Sequence, residues 1–220
     1  MIPAQANAEY VCCMEDILQL YHQPYDPLYP MVCFDESSKQ LITEKRQPLP
    51  MKSGQVFRYD YEYERQGVAN LFMCFEPLQS WRHVEVTDRH TKVDFAHSMK
   101  MLVERYPNAR QIQVVMDNLN THKPSSLYEA FPPEEARRLL DRLVFHYTPK
   151  HGSWLNMAEI ELGVLSRQCL DRRIPDKETL INEAAAWEVT RNESKATVNW
   201  QFTTDDARIK LRKLYPSYDS

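Results

Sequence analysis

The chain has 220 residues, 43% hydrophobic and 26% charged, a composition of ordinary globular proteins and far from that of disordered ones. No apolar run approaches the roughly 20 residues of a membrane span, and no basic segment leads into an apolar one at the N-terminus, so a membrane partner is excluded and a cytoplasmic location expected. A net charge of −4 offers no general basic excess for neutralising phosphates, and five cysteines without a C-x-x-C pair fit neither a disulfide framework nor a zinc ribbon.

In chain order, "NAEYVCCMEDILQLY" (7–21) has a helical apolar pattern, and the prolines of "HQPYDPLYP" end it in a stiff connector. Residues 1–30 are therefore expected to form a helical arm and Pro-rich connector, with the main domain over 31–220. "MVCFDESS" from Met31 predicts a buried strand, "GVANLFMCFEP" a second and "SWRHVEVTDR" a third, in which Arg82, Val84 and Val86 share one face. The turn-rich, tyrosine-rich "QPLPMKSGQVFRYDYEYERQ" between the first two is left open. The period then changes. "TKVDFAHSMKMLVERYP" predicts a helix ending before Pro107, "QIQVVMDN" a fourth strand, "PPEEARRLLDRL" a helix with proline at its start, and "VFHYTP" a fifth strand. Three helices follow: "SWLNMAEIELGVLSRQCL", "DKETLINEAAAWEVTRNES" capped by Asp176, and "TTDDARIKLRKLY" capped by Thr203 or Thr204. A strand meander followed by alternating helices and strands indicates an α/β fold, a mixed sheet covered by helices.

Asp35 falls in the first strand and Asp117 at the end of the fourth, and if those strands are parallel neighbours the two carboxylates meet at one rim, where such sheets bind ligands. Holding two divalent ions against a phosphodiester takes a third acid, because hard oxygen ligands suit Mg²⁺ and two ions serve the attacking and leaving oxygens. Glu159 and Glu161 are the candidates; two positions apart on a helix, they point to different sides, and periodicity does not choose between them.

"FDES", "MDNLNTH" and "PKHGSWLNMAE", in that order, resemble the catalytic segments of the mariner-type superfamily of DDE transposases, in particular its bacterial insertion-sequence branch. The tail "VNWQFTTDDARIKLRKLYPS" resembles that branch too, so the similarity extends over nearly the whole chain. The resemblance implies a ribonuclease-H-like fold, a five-stranded sheet of order 3-2-1-4-5 flanked by helices, with Asp35, Asp117 and Glu159 as the acids that hold two Mg²⁺, or Mn²⁺ in their place. Forty-one residues separate Asp117 from Glu159, a longer interval than in eukaryotic relatives. It further implies water-driven nicking at transposon ends and attack of a 3′-hydroxyl on target DNA at a TA step. The implied partners are terminal inverted repeats, target DNA and a second copy of the chain in a DNA-assembled homodimer. Family members carry N-terminal helix-turn-helix modules, which a chain starting "MIPAQANAEY" is expected to lack.

Around the acids, Asn118, His122, Lys123, Lys150, His151 and Asn156 are candidate DNA contacts, because a helix N-terminus ringed by donors suits a phosphate. Each has a plainer alternative: an Asx-turn at Asn118, a surface pair at His122 and Lys123, a helix cap at Asn156. His146 is expected to be structural, Trp187 and Trp200 to be packing aromatics, and the basic run from Arg208 to Lys213 to be a solvated helix face unless it meets DNA. Two other functions fit the same fold: a remnant or regulatory fragment that associates without catalysis, and a nuclease for RNA–DNA hybrids.

Overall fold

The computed structural model describes residues 6–45 and 62–217. Strands β1 (Met31–Glu44), β2 (Tyr63–Glu76), β3 (Trp81–Thr87), β4 (Ile112–Met116) and β5 (Leu143–Tyr147) form one sheet of order β3-β2-β1-β4-β5. The first three are antiparallel, whereas β4 runs parallel to both β1 and β5. Seven α-helices are formed among the described residues: α1 (Ala8–Tyr21), α2 (Lys92–Arg105), α3 (Ser126–Ala130), α4 (Pro133–Leu140), α5 (Met157–Leu165), α6 (Lys177–Glu193) and α7 (Thr204–Lys210).

The unbroken apolar runs of β1 and β4 follow from burial on both faces. Val32, Phe34, Val114 and Met116 point to a core shared with Phe95, Met99 and Leu102 of α2. Met31, Cys33 and Val115 point to a second core, where Met14, Ile17 and Leu18 of α1 meet Ala158, Leu162 and Leu165 of α5. Short side chains start the helices: Asn7 caps α1, Thr91 and Asp94 form a capping box on α2, Asp176 caps α6, and Thr203 with Asp206 boxes α7.

The elements differ from expectation mainly at their ends. β1 and β2 run on to Glu44 and back to Tyr63, because their antiparallel pairing continues past the buried part of the sheet, with a register irregularity at Leu41/Ile42. Most of the tyrosine-rich stretch between them lies outside the described residues. The short α3 was not expected, and the helix predicted through Cys169 stops at Leu165 and continues as a π-helical turn, Ser166–Leu170.

On the outer side of the sheet, α6 closes the free edge of β3, a position that would otherwise expose unpaired backbone groups. Asn192 accepts from the Arg82 N–H at 2.9 Å and donates to its carbonyl at 2.9 Å, while Glu188 accepts from the Val84 N–H at 2.8 Å. The same strand sends Arg82 inward among apolar neighbours. Its guanidinium lies 2.9 Å from Glu161, and Arg191 forks onto the same carboxylate at 2.9–3.0 Å. Arg82 and Glu161 are both fully buried.

Removing one member of a buried ion pair strands its partner, at a cost of about 3–5 kcal/mol. Glu161→Leu is therefore expected to lower the urea-unfolding free energy by about that amount, whereas Glu159→Gln, at an exposed position, should stay within about 0.5 kcal/mol of the parent.

Candidate active site

Parallel pairing sets Met31 beside Gln113 and Cys33 beside Val115. Carried two residues past the last pair, that offset (113 − 31 = 82, 117 − 35 = 82) places Asp35 beside Asp117. Both acids line a cavity of about 380 Å³ together with Glu36, Ser37, Ser153, Asn156 and Glu159. Glu159 projects into it from the first turn of α5, which Asn156 starts by accepting from the Ala158 N–H at 3.1 Å. The two glutamates lie in different surroundings: Glu161 is held by Arg82 and Arg191 inside the core, and Glu159 faces the cavity.

Burial pushes the Asp35 carboxyl up to about 7, opposed by the Glu36 N–H that donates to it at 2.9 Å and reinforced by the charges of Asp117, Glu36 and Glu159. Asp117 has a different environment. His122 Nδ1 lies 2.6 Å from Asp117 Oδ1, and Nε2 makes a close but poorly aligned charge contact with Glu36 Oε2 at 2.8 Å. Burial works against a charged imidazole, but the hydrogen bonds and charges of Asp117 and Glu36 outweigh it and hold His122 at about 9.

The expected DNA contacts divide. His122 is fully buried with both ring nitrogens engaged by carboxylates, so it is no surface phosphate ligand; packing of the loop after β4 under Phe34 and Phe95 draws it inward. Asn156 is likewise buried, capping α5 and donating to the Phe34 carbonyl at 2.8 Å. Lys123 donates to Asn118 and lies over the Tyr147 ring. Asn118, Lys150 and His151 line a second cavity of about 570 Å³ that shares Asp117 and Ser153 with the first. The turn carrying Lys150 and His151 is tight: a Cβ on Gly152 would fall 2.6 Å from the Pro149 ring, and His151 takes a left-handed φ of 67°. His146 bonds Asp16 and Gln113, as a structural residue should, and Arg208 of the basic run is engaged by Glu15.

Glu36 was missed as a site residue. Period two puts it on the Phe34 face, opposite Asp35, and only the loop that brings His122 underneath gives it a role.

The family model described as DDE superfamily endonuclease matches residues 30–181. The chain belongs to the DDE superfamily of endonucleases. None of the curated proteins matches it. Among solved structures, the Mos1 transposase paired-end complex with left transposon end is similar at TM-score 0.56 and 15% identity, over 89% of this chain and 60% of that one. The Mos1 mariner paired end complex with Mn gives 0.57 and 14%, over 89% and 59%, and the complex with Mg gives 0.56 and 14%, over 99% and 66%. The chain thus spans about three fifths of the first of these transposase chains. At these identities the likeness is one of fold, and this DDE superfamily member has the ribonuclease-H-like sheet order and flanking helices expected of it.

The donor chemistry of the cavity fits a divalent ion. Asp35, Asp117 and Glu159 offer only carboxylate oxygens, the hard donors that Mg²⁺ and Mn²⁺ prefer, and Asp35 sits among like charges that a cation would relieve. Among the described residues no group of three or more His, Cys, Asp or Glu side chains is gathered so that it could hold a metal ion by itself. Mg²⁺ does not require one, since it keeps several waters and takes one or two carboxylates together with substrate phosphate.

Because the His122 pKa lies above the ordinary 6.5, its charged form stabilises the fold fully below about 6.5, and the contribution is lost as pH rises through about 9. An NMR titration is expected to show the His122 ring turning over near pH 9, with Glu36→Gln moving the midpoint toward 6.5.

Proposed function

We propose that the chain is the catalytic portion of a transposase of the bacterial insertion-sequence branch, nicking DNA at element ends and joining the 3′-hydroxyl to target DNA. The observation that carries this reading is the placing of Asp35, Asp117 and Glu159, from two parallel strands and a following helix, around one cavity in a DDE superfamily chain. These three would hold two Mg²⁺ ions, with Mn²⁺ as a substitute. When bound, such ions activate the attacking oxygen and stabilise the leaving one.

The chain's own groups do the rest. Asp35 presents oxygens from within β1 and Asp117 from just past the end of β4, and Glu159 lines the same cavity from α5. Lys150, His151 and Asn118 line the adjoining cavity, where donors and positive charge suit a phosphodiester backbone leading to the acids. The DNA is taken to be the terminal inverted repeats and a TA target, bound by a homodimer as the paired ends of the Mos1 complexes suggest.

Supercoiled plasmid incubated with the purified chain in Mg²⁺ or Mn²⁺ is expected to become nicked. Asp117→Asn, which keeps an acceptor for His122, should slow this at least about 100-fold while the chain stays folded, with an unchanged circular-dichroism spectrum. Intact plasmid alongside a cleaved RNA–DNA hybrid would replace this reading with a hybrid nuclease. Inertness toward both would leave a folded fragment without catalysis.

A further inference from the structure

His122 is packed into the interior although it follows β4 in a loop. It is fully buried, with the ring edge-on to Phe34 at 5.4 Å and tilted against Phe95 at 5.0 Å. Its backbone is fixed as well: the N–H donates to the Leu119 carbonyl at 3.1 Å, and the Tyr147 hydroxyl donates to the His122 carbonyl at 2.9 Å. What this framework aims is two ring nitrogens at two carboxylates, Asp117 at 2.6 Å and Glu36 at 2.8 Å.

Those carboxylates belong to the two strands that carry the acids. Glu36 follows Asp35 directly and donates its N–H to the Asp35 carboxylate, so backbone and imidazole together join β1, just past its pairing with β4, to the end of β4. Asp117 stands just past the last residue of β4, where a carboxylate without a tether turns freely toward solvent. The imidazole takes Oδ1 from the Phe34 side of the sheet, and Asp117 is at the same time a lining residue of the cavity.

We infer that His122 is a positioning residue that, with Glu36 behind it, fixes the Asp117 carboxylate in the orientation from which it holds a divalent ion. The inference rests on the proposed function above. Partners that orient a ligating carboxylate from behind are worth about 10–100-fold in metal affinity. A purely packing histidine in the same aromatic slot has no such effect.

The test is Mn²⁺ affinity by calorimetry on the full chain, without DNA, beside melting temperature and the kcat and KM of plasmid nicking. His122→Phe keeps the ring packed between Phe34 and Phe95 but has no donor for Asp117, and it should weaken Mn²⁺ binding about 10–100-fold while lowering kcat and leaving KM for DNA unchanged. His122→Gln, which retains a donor, should recover part of the loss. Glu36→Gln does not depend on replacing a buried ring, so it decides the matter even if His122→Phe fails to fold. It should weaken Mn²⁺ binding several-fold, and in combination with His122→Phe the two losses should be clearly less than additive, since part of the Glu36 effect passes through the imidazole. Mn²⁺ binding as tight as the parent's in Glu36→Gln and in any folded His122→Phe overturns this inference alone, provided Asp117→Asn has lost it. If the parent binds no Mn²⁺, or Asp117→Asn binds as well as the parent, the proposed function falls and the inference with it.

Discussion

Parallel pairing of β1 with β4 is the constraint on which the rest of the molecule depends. It brings together residues far apart in the chain, with Asp35 and Asp117 side by side at one rim. Where they pair, both strands are buried on both faces, so a slip of one residue would turn Phe34 and Met116 out of one core and Cys33 and Val115 out of the other. Apolar packing thus fixes the register, and the register fixes the separation of two carboxylates that repel each other. Folding accepts that repulsion at the rim because the cores beneath it cannot shift to relieve it.

Two carboxylate–cation clusters deal with charge in opposite ways. Glu161 is sealed from solvent between Arg82 and Arg191. Asp117 is held by His122 from the Phe34 face and lines the cavity shared with Asp35 and Glu159. The first arrangement ties β3 to α5 and α6. The second leaves unbalanced negative charge beside a polar opening, the feature expected where a site is shaped for a cation rather than for stability.

The loop leading to Glu159 is held by both ends of the described chain. Trp154 donates to the Tyr10 hydroxyl at 3.0 Å and stacks on Trp200 at 6.2 Å, with Phe202 edge-on at 5.7 Å, while Tyr21 donates to the Leu155 carbonyl. Arg208 and Tyr215 both reach Glu15 on α1, drawing the C-terminal helices against the N-terminal one. The exposed turn of Lys150 and His151 is therefore mounted on a rigid base.

The sequence by itself determined the elements, because their signals are local: apolar runs for β1 and β4, a 3.6-residue stripe for α2, Asp176 and a threonine at position 203 or 204 for caps. It also yielded Asp35 and Asp117 as a pair, and the ordered motifs singled out Glu159. What only tertiary structure decided was how each polar side chain is spent. Glu159 and Glu161 are equivalent by periodicity until Arg82, whose position in the apolar stripe of β3 carries no local signal, claims Glu161. His122 and Asn156 read as surface donors until the loop and α5 fold against Phe34 and bury them. A side chain's partner depends on which distant segment arrives beside it, and that is set by packing across the sheet rather than by spacing along the chain.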